Sequence, residues 1–114
     1  MDKFDFKTIE NDCQHHKMTI KLEKIHPFLN TCVVTGGSEN VNVEVEYSPD
    51  HKLLEVVSYR KSFAQEFNES MEKLCSDVFD SLWNVLEPRW LKVTIYLDEA
   101  RLTPWHVTID SNEK

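Results

Sequence analysis

The chain has 114 residues, a formal net charge of −7 and 40% hydrophobic residues, which suits one domain with a real core and excludes a disordered chain. The excess of acidic side chains disfavours a free-standing nucleic-acid binder, because phosphate contacts need clustered Lys and Arg. No apolar run in the sequence approaches the roughly 18 residues of a membrane span, and the first residues do not resemble a signal peptide. We therefore expect a cytoplasmic protein with no membrane partner.

The predicted organisation begins with a polar lead-in over residues 1–16, continues with a single domain over residues 17–110 and ends with a polar tail over residues 111–114. Apolar and polar residues alternate with period two over residues 17–23, which predicts the first strand of the domain.

Three cysteines are present, Cys13, Cys32 and Cys75, and an odd number in a cytoplasmic chain argues against a disulfide framework. Cys13 lies next to His15 and His16 in the lead-in. No second ligand cluster with zinc-like spacing follows, which favours a solvated tail over a metal site.

Residues 41–47 carry the clearest strand pattern in the sequence. Their apolar members are Val41, Val43, Val45 and Tyr47. A turn at residues 48–51 and a second apolar run at residues 53–57 follow. Together they predict a β-hairpin.

A helical stripe comes next, since large apolar residues recur at steps of three and four. Its members are Phe63, Phe67, Met71, Leu74, Val78, Leu82 and Val85. Periodicity alone predicts one helix over residues 62–86. However, Asn68, Glu69 and Ser70 interrupt it, and Asn and Ser are good N-caps but poor mid-helix residues. We therefore predict a break there, with Asn68 or Ser70 capping a second helix.

Two further strands are predicted over residues 90–97 and 103–109, joined by a turn at residues 98–101. Pro104 is expected at the start of its strand or on an edge. The order of strands, helices and strands predicts an α+β domain whose antiparallel sheet is covered on one face.

One stretch combines several features that carry chemistry. Cys32 is followed by Gly36 and Gly37, which permit a tight turn, and then by Glu39. A thiolate facing a proton-donating carboxyl is a useful catalytic pair. The alternative is a buried, inert cysteine before an ordinary loop.

Four segments together resemble the 7-cyano-7-deazaguanine reductases, the nitrile reductases of queuosine biosynthesis, over roughly residues 18–109. They are Cys32 after Phe28-Leu29-Asn30-Thr31, Glu39 seven residues on, Tyr47-Ser48-Pro49-Asp50, and Glu72 with the later Leu86-Glu87-Pro88-Arg89-Trp90. The resemblance implies a tunnelling fold, in which antiparallel sheets with two helices on one face join into oligomeric barrels.

The resemblance also implies a reaction. Cys32 is the implied nucleophile that adds to the nitrile carbon of a deazapurine, and Glu39 is the implied general acid that protonates the nitrogen. Glu72 is implied to hold the guanine-like edge by hydrogen bonds. Glu55 and Ser58 are further implied substrate-binding residues.

NADPH is the cofactor that the resemblance implies. The reductase signature is partly kept over residues 55–63, where Arg60 and Lys61 are the expected cofactor-binding residues. Met71 stands where the reductases usually have His. This sequence therefore lacks the histidine that the resemblance implies for the hydride-transfer stage.

Two alternatives remain open. A shorter relative, which lacks the signature, is an archaeosine-forming enzyme that adds ammonia to the nitrile in tRNA, although the charge of −7 fits a tRNA partner poorly. The other alternative is a catalytically impaired family member that binds a purine-like ligand or only assembles. A homo-oligomer is expected in each case.

Overall fold

The computed structural model describes residues 3–31, 36–97 and 103–113. The strands and helices within these ranges are β1 (Thr8–Glu10), β2 (Ile20–Leu22), β3 (Phe28–Thr31), β4 (Ser38–Ser48), β5 (Lys52–Leu54), α1 (Val56–Ser62), α2 (Met71–Leu86), β6 (Trp90–Leu97) and β7 (Trp105–Asp110).

The main sheet is antiparallel, with strands in the order β2, β4, β6 and β7, and with β3 also paired to β4. β4 and β6 pair without interruption from Val41 opposite Leu97 to Ser48 opposite Trp90. The alternation predicted for residues 41–47 is confirmed, because the apolar side chains at every second position of β4 are buried. One face of the sheet therefore forms one side of the hydrophobic core.

Helix α2 covers that face and packs on β6 and β7. Its buried stripe consists of Met71, Leu74, Cys75, Val78, Leu82 and Leu86. The predicted α+β class, with an antiparallel sheet and helices on one face, is confirmed.

The helical region breaks where the capping residues predicted, and the single helix over residues 62–86 predicted by periodicity alone is wrong. Ser70 is the N-cap of α2, and its hydroxyl accepts a hydrogen bond from the Lys73 amide at 3.1 Å. Phe63 and Phe67 lie between the two helices and still contribute buried rings to the core. The apolar stripe therefore continues through a region that is not helical.

The predicted hairpin between residues 41–47 and residues 53–57 is wrong. β5 pairs with β1, with Thr8 opposite Leu54, and the Leu54 amide donates to the Tyr47 hydroxyl at 2.9 Å. Residues 56 and 57, placed in a strand by their apolar character, instead begin α1. The physical reason is Glu55, whose side chain accepts hydrogen bonds from the amides of Val57 and Ser58 and caps that helix.

The polar lead-in predicted for residues 1–16 also needs correction. Phe4 and Phe6 are 4% and 6% exposed, and their rings stack at 5.1 Å inside the core. The following residues form β1, which supplies a partner for β5. The later part of the segment is solvated as predicted, and Cys13 is exposed there.

Several boundaries shift by a few residues. The strand predicted over residues 17–23 is confined to β2, β3 was not predicted, and β7 starts just after Pro104. Gly36 has a φ of 73°, the conformation that favours glycine. The predicted turn at residues 98–101 lies outside the described residues.

Candidate functional site

Strand β3 lies between two segments of the chain at one end of the sheet. On one side it pairs with β4, where Asn30 is opposite Glu39 and Thr31 is opposite Ser38. On the other side it meets Phe67 through two backbone hydrogen bonds, from the Thr31 amide to the Phe67 carbonyl at 2.8 Å and from the Phe67 amide to the Leu29 carbonyl at 3.0 Å. The loop between the helices is thus fixed along the strand that leads into Cys32.

Asn30 fixes the next part of that loop. Its side-chain amide donates to the Glu69 carbonyl at 2.9 Å, and its side-chain oxygen accepts from the Glu69 amide at 3.1 Å. Asn30 is 1% exposed, so both hydrogen bonds are shielded from water and hold Glu69 in one place.

The Glu69 carboxylate is the group that sequence reasoning missed. One oxygen, Oε1, pairs with the Lys3 ammonium. The other, Oε2, is buried and has no hydrogen-bond partner among the described residues. An unsatisfied buried carboxylate oxygen is costly. The sequence signal was a carboxylate directly before the N-cap Ser70, which we interpreted only as a helix break.

Glu39 lies on the other side of β3. Because directly opposed residues of an antiparallel pair share a face, Glu39 and Asn30 lie on the same face of the sheet, as Val41 also does by alternation. That is the face covered by the helices, and Glu39 is partly buried there. Cys32 lies outside the described residues, and its role as nucleophile stays a prediction. Its neighbour Thr31 is the last residue of β3.

Glu72, predicted to hold the substrate edge, is exposed in the first turn of α2. Its role stays a prediction, and the structure does not place it with Glu39 on the covered face of the sheet.

Glu55 and Ser58, the other predicted substrate-binding residues, use their polar atoms within the fold. Glu55 Oε1 accepts from the Ser58 amide at 2.9 Å, while the Ser58 hydroxyl donates to the Glu55 carbonyl at 2.8 Å and accepts from the Lys7 amide at 2.9 Å. These hydrogen bonds cap α1 and attach the N-terminal segment to it.

Arg60 and Lys61 lie in the last turn of α1, where cations are favourable to the helix dipole. Both side chains are exposed. Arg60 lines a groove beside Lys21 of β2, whereas Lys61 lines a different groove that contains Lys3 and Lys7. The two predicted cofactor-binding residues therefore do not converge on one groove.

Cys75 lies in the buried stripe of α2 and behaves as a small core residue. It is fully buried, and its thiol donates to the Val93 carbonyl at 3.5 Å. Burial raises the pKa of the Cys75 thiol to about 11, so this thiol is protonated at neutral pH and unsuited to nucleophilic attack.

Neither metal binding nor membrane crossing is indicated by the described residues. No group of three His, Cys, Asp or Glu side chains within them is placed to hold a metal ion. Neither of the two described helices has the length and apolar character that crossing a membrane requires.

No protein-family model and no curated protein matches the sequence. The fold is nevertheless similar to that of the archaeosine synthase QueF-like in its apo form, with a TM-score of 0.69 and 19% identity over 86% of this chain and 95% of that chain. It is also similar to a Vibrio cholerae structure named as a dihydroneopterin aldolase (FolB), with a TM-score of 0.59 and 12% identity over 83% of this chain and 97% of that chain. The chain has the tunnelling fold. At these identities the likeness establishes the fold alone.

In this tunnelling-fold chain the helices leave the second face of the sheet uncovered. That face carries polar side chains from three neighbouring strands. They include Glu44, Glu46, Lys92, Thr94 and Thr108. Lys21 of β2 forms ion pairs with Glu44 at 3.4 Å and Glu46 at 3.9 Å on the same face. Glu39, the predicted general acid, lies on the opposite, helix-covered face.

Proposed function

We propose that this chain is an enzyme of deazapurine tRNA modification that acts on the nitrile of 7-cyano-7-deazaguanine, as the free base or within tRNA, through a covalent thioimide at Cys32. The observation that carries the proposal is the position of β3, whose last described residue directly precedes Cys32 and which is flanked by Glu39 and by the Asn30-bound Glu69. The likeness to the archaeosine synthase supports it at the level of fold.

The proposed roles follow from chemistry. The Cys32 thiolate adds to the nitrile carbon, and one C–N π bond breaks as the C–S bond forms. The nitrogen takes a proton from Glu39, which gives a neutral thioimide. Glu72, exposed in the first turn of α2, is our candidate for the edge of the ring, because a carboxylate with two accessible oxygens accepts paired N–H donors.

Ammonia addition is the fate of the thioimide that we favour. Ammonia attacks the same carbon, the thiolate leaves, and the nitrile has become an amidine without any change of oxidation state. The name of the structural relative supports this reaction, and ammonia addition needs no nucleotide cofactor.

Reduction to an aminomethyl group is the second candidate, supported by the partly kept signature over residues 55–63. It requires two hydrides, which NADPH would supply. Because Arg60 and Lys61 line different grooves, they do not fit a single phosphate-binding site, and we derive no step through that cofactor.

Incubation of the protein with 7-cyano-7-deazaguanine tests the proposal. We expect a thioimide absorbance and a protein mass increase of one ligand, lost in Cys32→Ala and kept in Cys13→Ala. Ammonium salt should then release an amidine, whereas NADPH consumption would identify a reductase. If the protein binds the free base and a tRNA that carries it but forms an adduct with neither, it is a purine-binding relative that has lost the reaction.

A further inference from the structure

A groove of about 360 Å³ lies between the N-terminal segment and α1. The backbone of the segment is attached along the helix at two points. The Asp5 amide donates to the Ser62 hydroxyl at 3.2 Å, and the Lys7 amide donates to the Ser58 hydroxyl at 2.9 Å. Because both walls are held to each other, the groove has a defined shape.

Lysine side chains are concentrated in this groove. The two phenylalanines of the segment are buried in the core, whereas Lys3, Asp5 and Lys7 alternate with them and line the groove. Lys61, in the last turn of α1, lines the same groove. With Glu55, its charged members are three lysines and two carboxylates, whereas the rest of the chain has ten basic and eighteen acidic side chains. The net charge of the whole chain therefore does not describe this surface.

The two carboxylates in the groove do not block an anion. Both oxygens of Glu55 accept hydrogen bonds from backbone amides at the start of α1, so this side chain is occupied in capping the helix. Asp5 faces Lys7 at 3.4 Å, but the two side chains are 87% and 65% exposed. An ion pair this exposed contributes little free energy, so a phosphate can replace Asp5 beside Lys7.

Lys7 and Lys61 are the lysines of the groove that remain available to a ligand. Lys3 is already held by Glu69 and, at 2.9 Å, by Asp77. The Lys61 side chain is exposed and forms no ion pair within the described residues. Two accessible ammonium groups on opposite walls of one groove favour an anionic ligand between them.

The groove begins beside the candidate site. Lys3 and Gln65 line it, and Lys3 also pairs with Glu69. Asn30 holds Glu69 against the strand that precedes Cys32. A nucleotide chain whose modified base reaches Cys32 can therefore extend its backbone along α1.

We propose that this groove binds backbone phosphates of the tRNA that carries the nitrile base, through Lys7 and Lys61. The inference rests on the proposed function and selects tRNA over the free base as its substrate. A lysine ammonium is a compact point charge, and phosphate contacts position a nucleic acid without reading its sequence. Such contacts suit an enzyme that recognises its substrate by one modified base.

The test measures binding of a tRNA that carries 7-cyano-7-deazaguanine over a series of salt concentrations. The affinity of the wild type should fall as salt rises. Lys7→Gln and Lys61→Gln should each lower it about 3–10-fold at low salt and reduce the slope of log K against log salt by about 0.7–0.9, because each removes one phosphate contact. A smaller folded fraction would lower the apparent affinity equally at every salt concentration and leave the slope unchanged.

Lys17→Gln is the matched control, because it removes the same charge from an exposed position that does not line the groove. It should retain the wild-type affinity and slope. Equal effects of the three substitutions, or a wild-type slope in both groove variants, overturn the inference while the proposed function stands. The same holds if the wild type forms an adduct with the free base but does not bind the tRNA. A wild type that forms an adduct with neither overturns the proposed function and, with it, this inference.

Discussion

Asn30 and Glu69 are joined by a two-way exchange of hydrogen bonds, in which one side-chain amide satisfies both the carbonyl and the amide of a residue 39 positions further along the chain. The exchange follows the backbone hydrogen bonds between β3 and Phe67, where the loop that precedes α2 runs along β3. It ties the strand before Cys32 to the loop that carries the carboxylate. The site therefore depends on a residue with no chemical role of its own.

We predict that Asn30→Ala lowers the free energy of unfolding by about 2–4 kcal/mol, since it leaves two backbone groups without partners. Urea denaturation followed by circular dichroism measures the change. Asn68→Ala, at an exposed position of the same loop, should change stability by less than about 0.5 kcal/mol. Equal effects of the two substitutions would show that the Asn30 exchange does not hold the loop.

The parts of the fold that sequence reasoning found are those set by local rules. Alternation identified β4 and β6, and the cap preference of Ser70 identified the break between the helices. Such signals are contained within a few residues, so no tertiary contact is needed to interpret them.

The parts of the fold that sequence reasoning missed depend on contacts between residues that are far apart in the chain. β5 looked like the return strand of a hairpin, but it pairs with β1, which lies more than 40 residues earlier in the chain. Phe4 and Phe6 are apolar residues among charges, and only the cluster formed with Phe63 and Phe67 makes them core residues. The same holds for Glu69, whose orientation is determined by Asn30 and Lys3.

Cys75 should make stability fall at alkaline pH. Its thiol pKa rises from an ordinary 9.0 to about 11 on burial, so between these values the unfolded chain loses a proton that the folded chain keeps. The contribution of the protonated Cys75 thiol to the free energy of unfolding is fully present below pH 9. It is lost as pH rises through about 11, which lowers the free energy of unfolding by roughly 2–3 kcal/mol.

Urea denaturation between pH 8 and pH 11 tests this, with Cys75→Ala as the comparison. The variant is less stable at pH 8, because it leaves a small cavity, but its stability should fall less steeply with pH. Tyr47 and Tyr59, whose pKa values are also raised by burial, contribute to both proteins. Parallel curves for wild type and Cys75→Ala would contradict the prediction.

We also predict that the chain assembles through the edges of its sheet. β7 pairs with β6 on one side and with no other described strand, and an unpaired edge invites pairing with another chain. Trp105, at the start of β7, is 40% exposed. Sedimentation at micromolar concentration should show an oligomer, and Trp105→Ser should shift it to smaller species.

Trp83 offers a matched control for this experiment, since it is 39% exposed but lies on α2 and stacks on Phe79. Trp83→Ser should leave the sedimentation profile unchanged. A monomeric wild type, or an equal shift from both substitutions, would count against assembly through β7.

The three carboxylates near the site should separate into distinct roles. Glu72→Gln removes the charged acceptor for the ligand edge and should weaken binding of 7-cyano-7-deazaguanine by about 10–100-fold. Glu39→Gln keeps the shape of the side chain but cannot donate the proton, so binding should persist while adduct formation slows by about 100-fold or more. Glu69→Gln, whose Oε1 pairs with Lys3 and whose Oε2 is buried, should change neither quantity. Calorimetry gives the affinity, and mass spectrometry of the adduct over time gives the rate. If Glu69→Gln weakens binding and Glu72→Gln does not, the edge of the ligand is held by the loop fixed by Asn30, and Glu72 is a solvated carboxylate of α2.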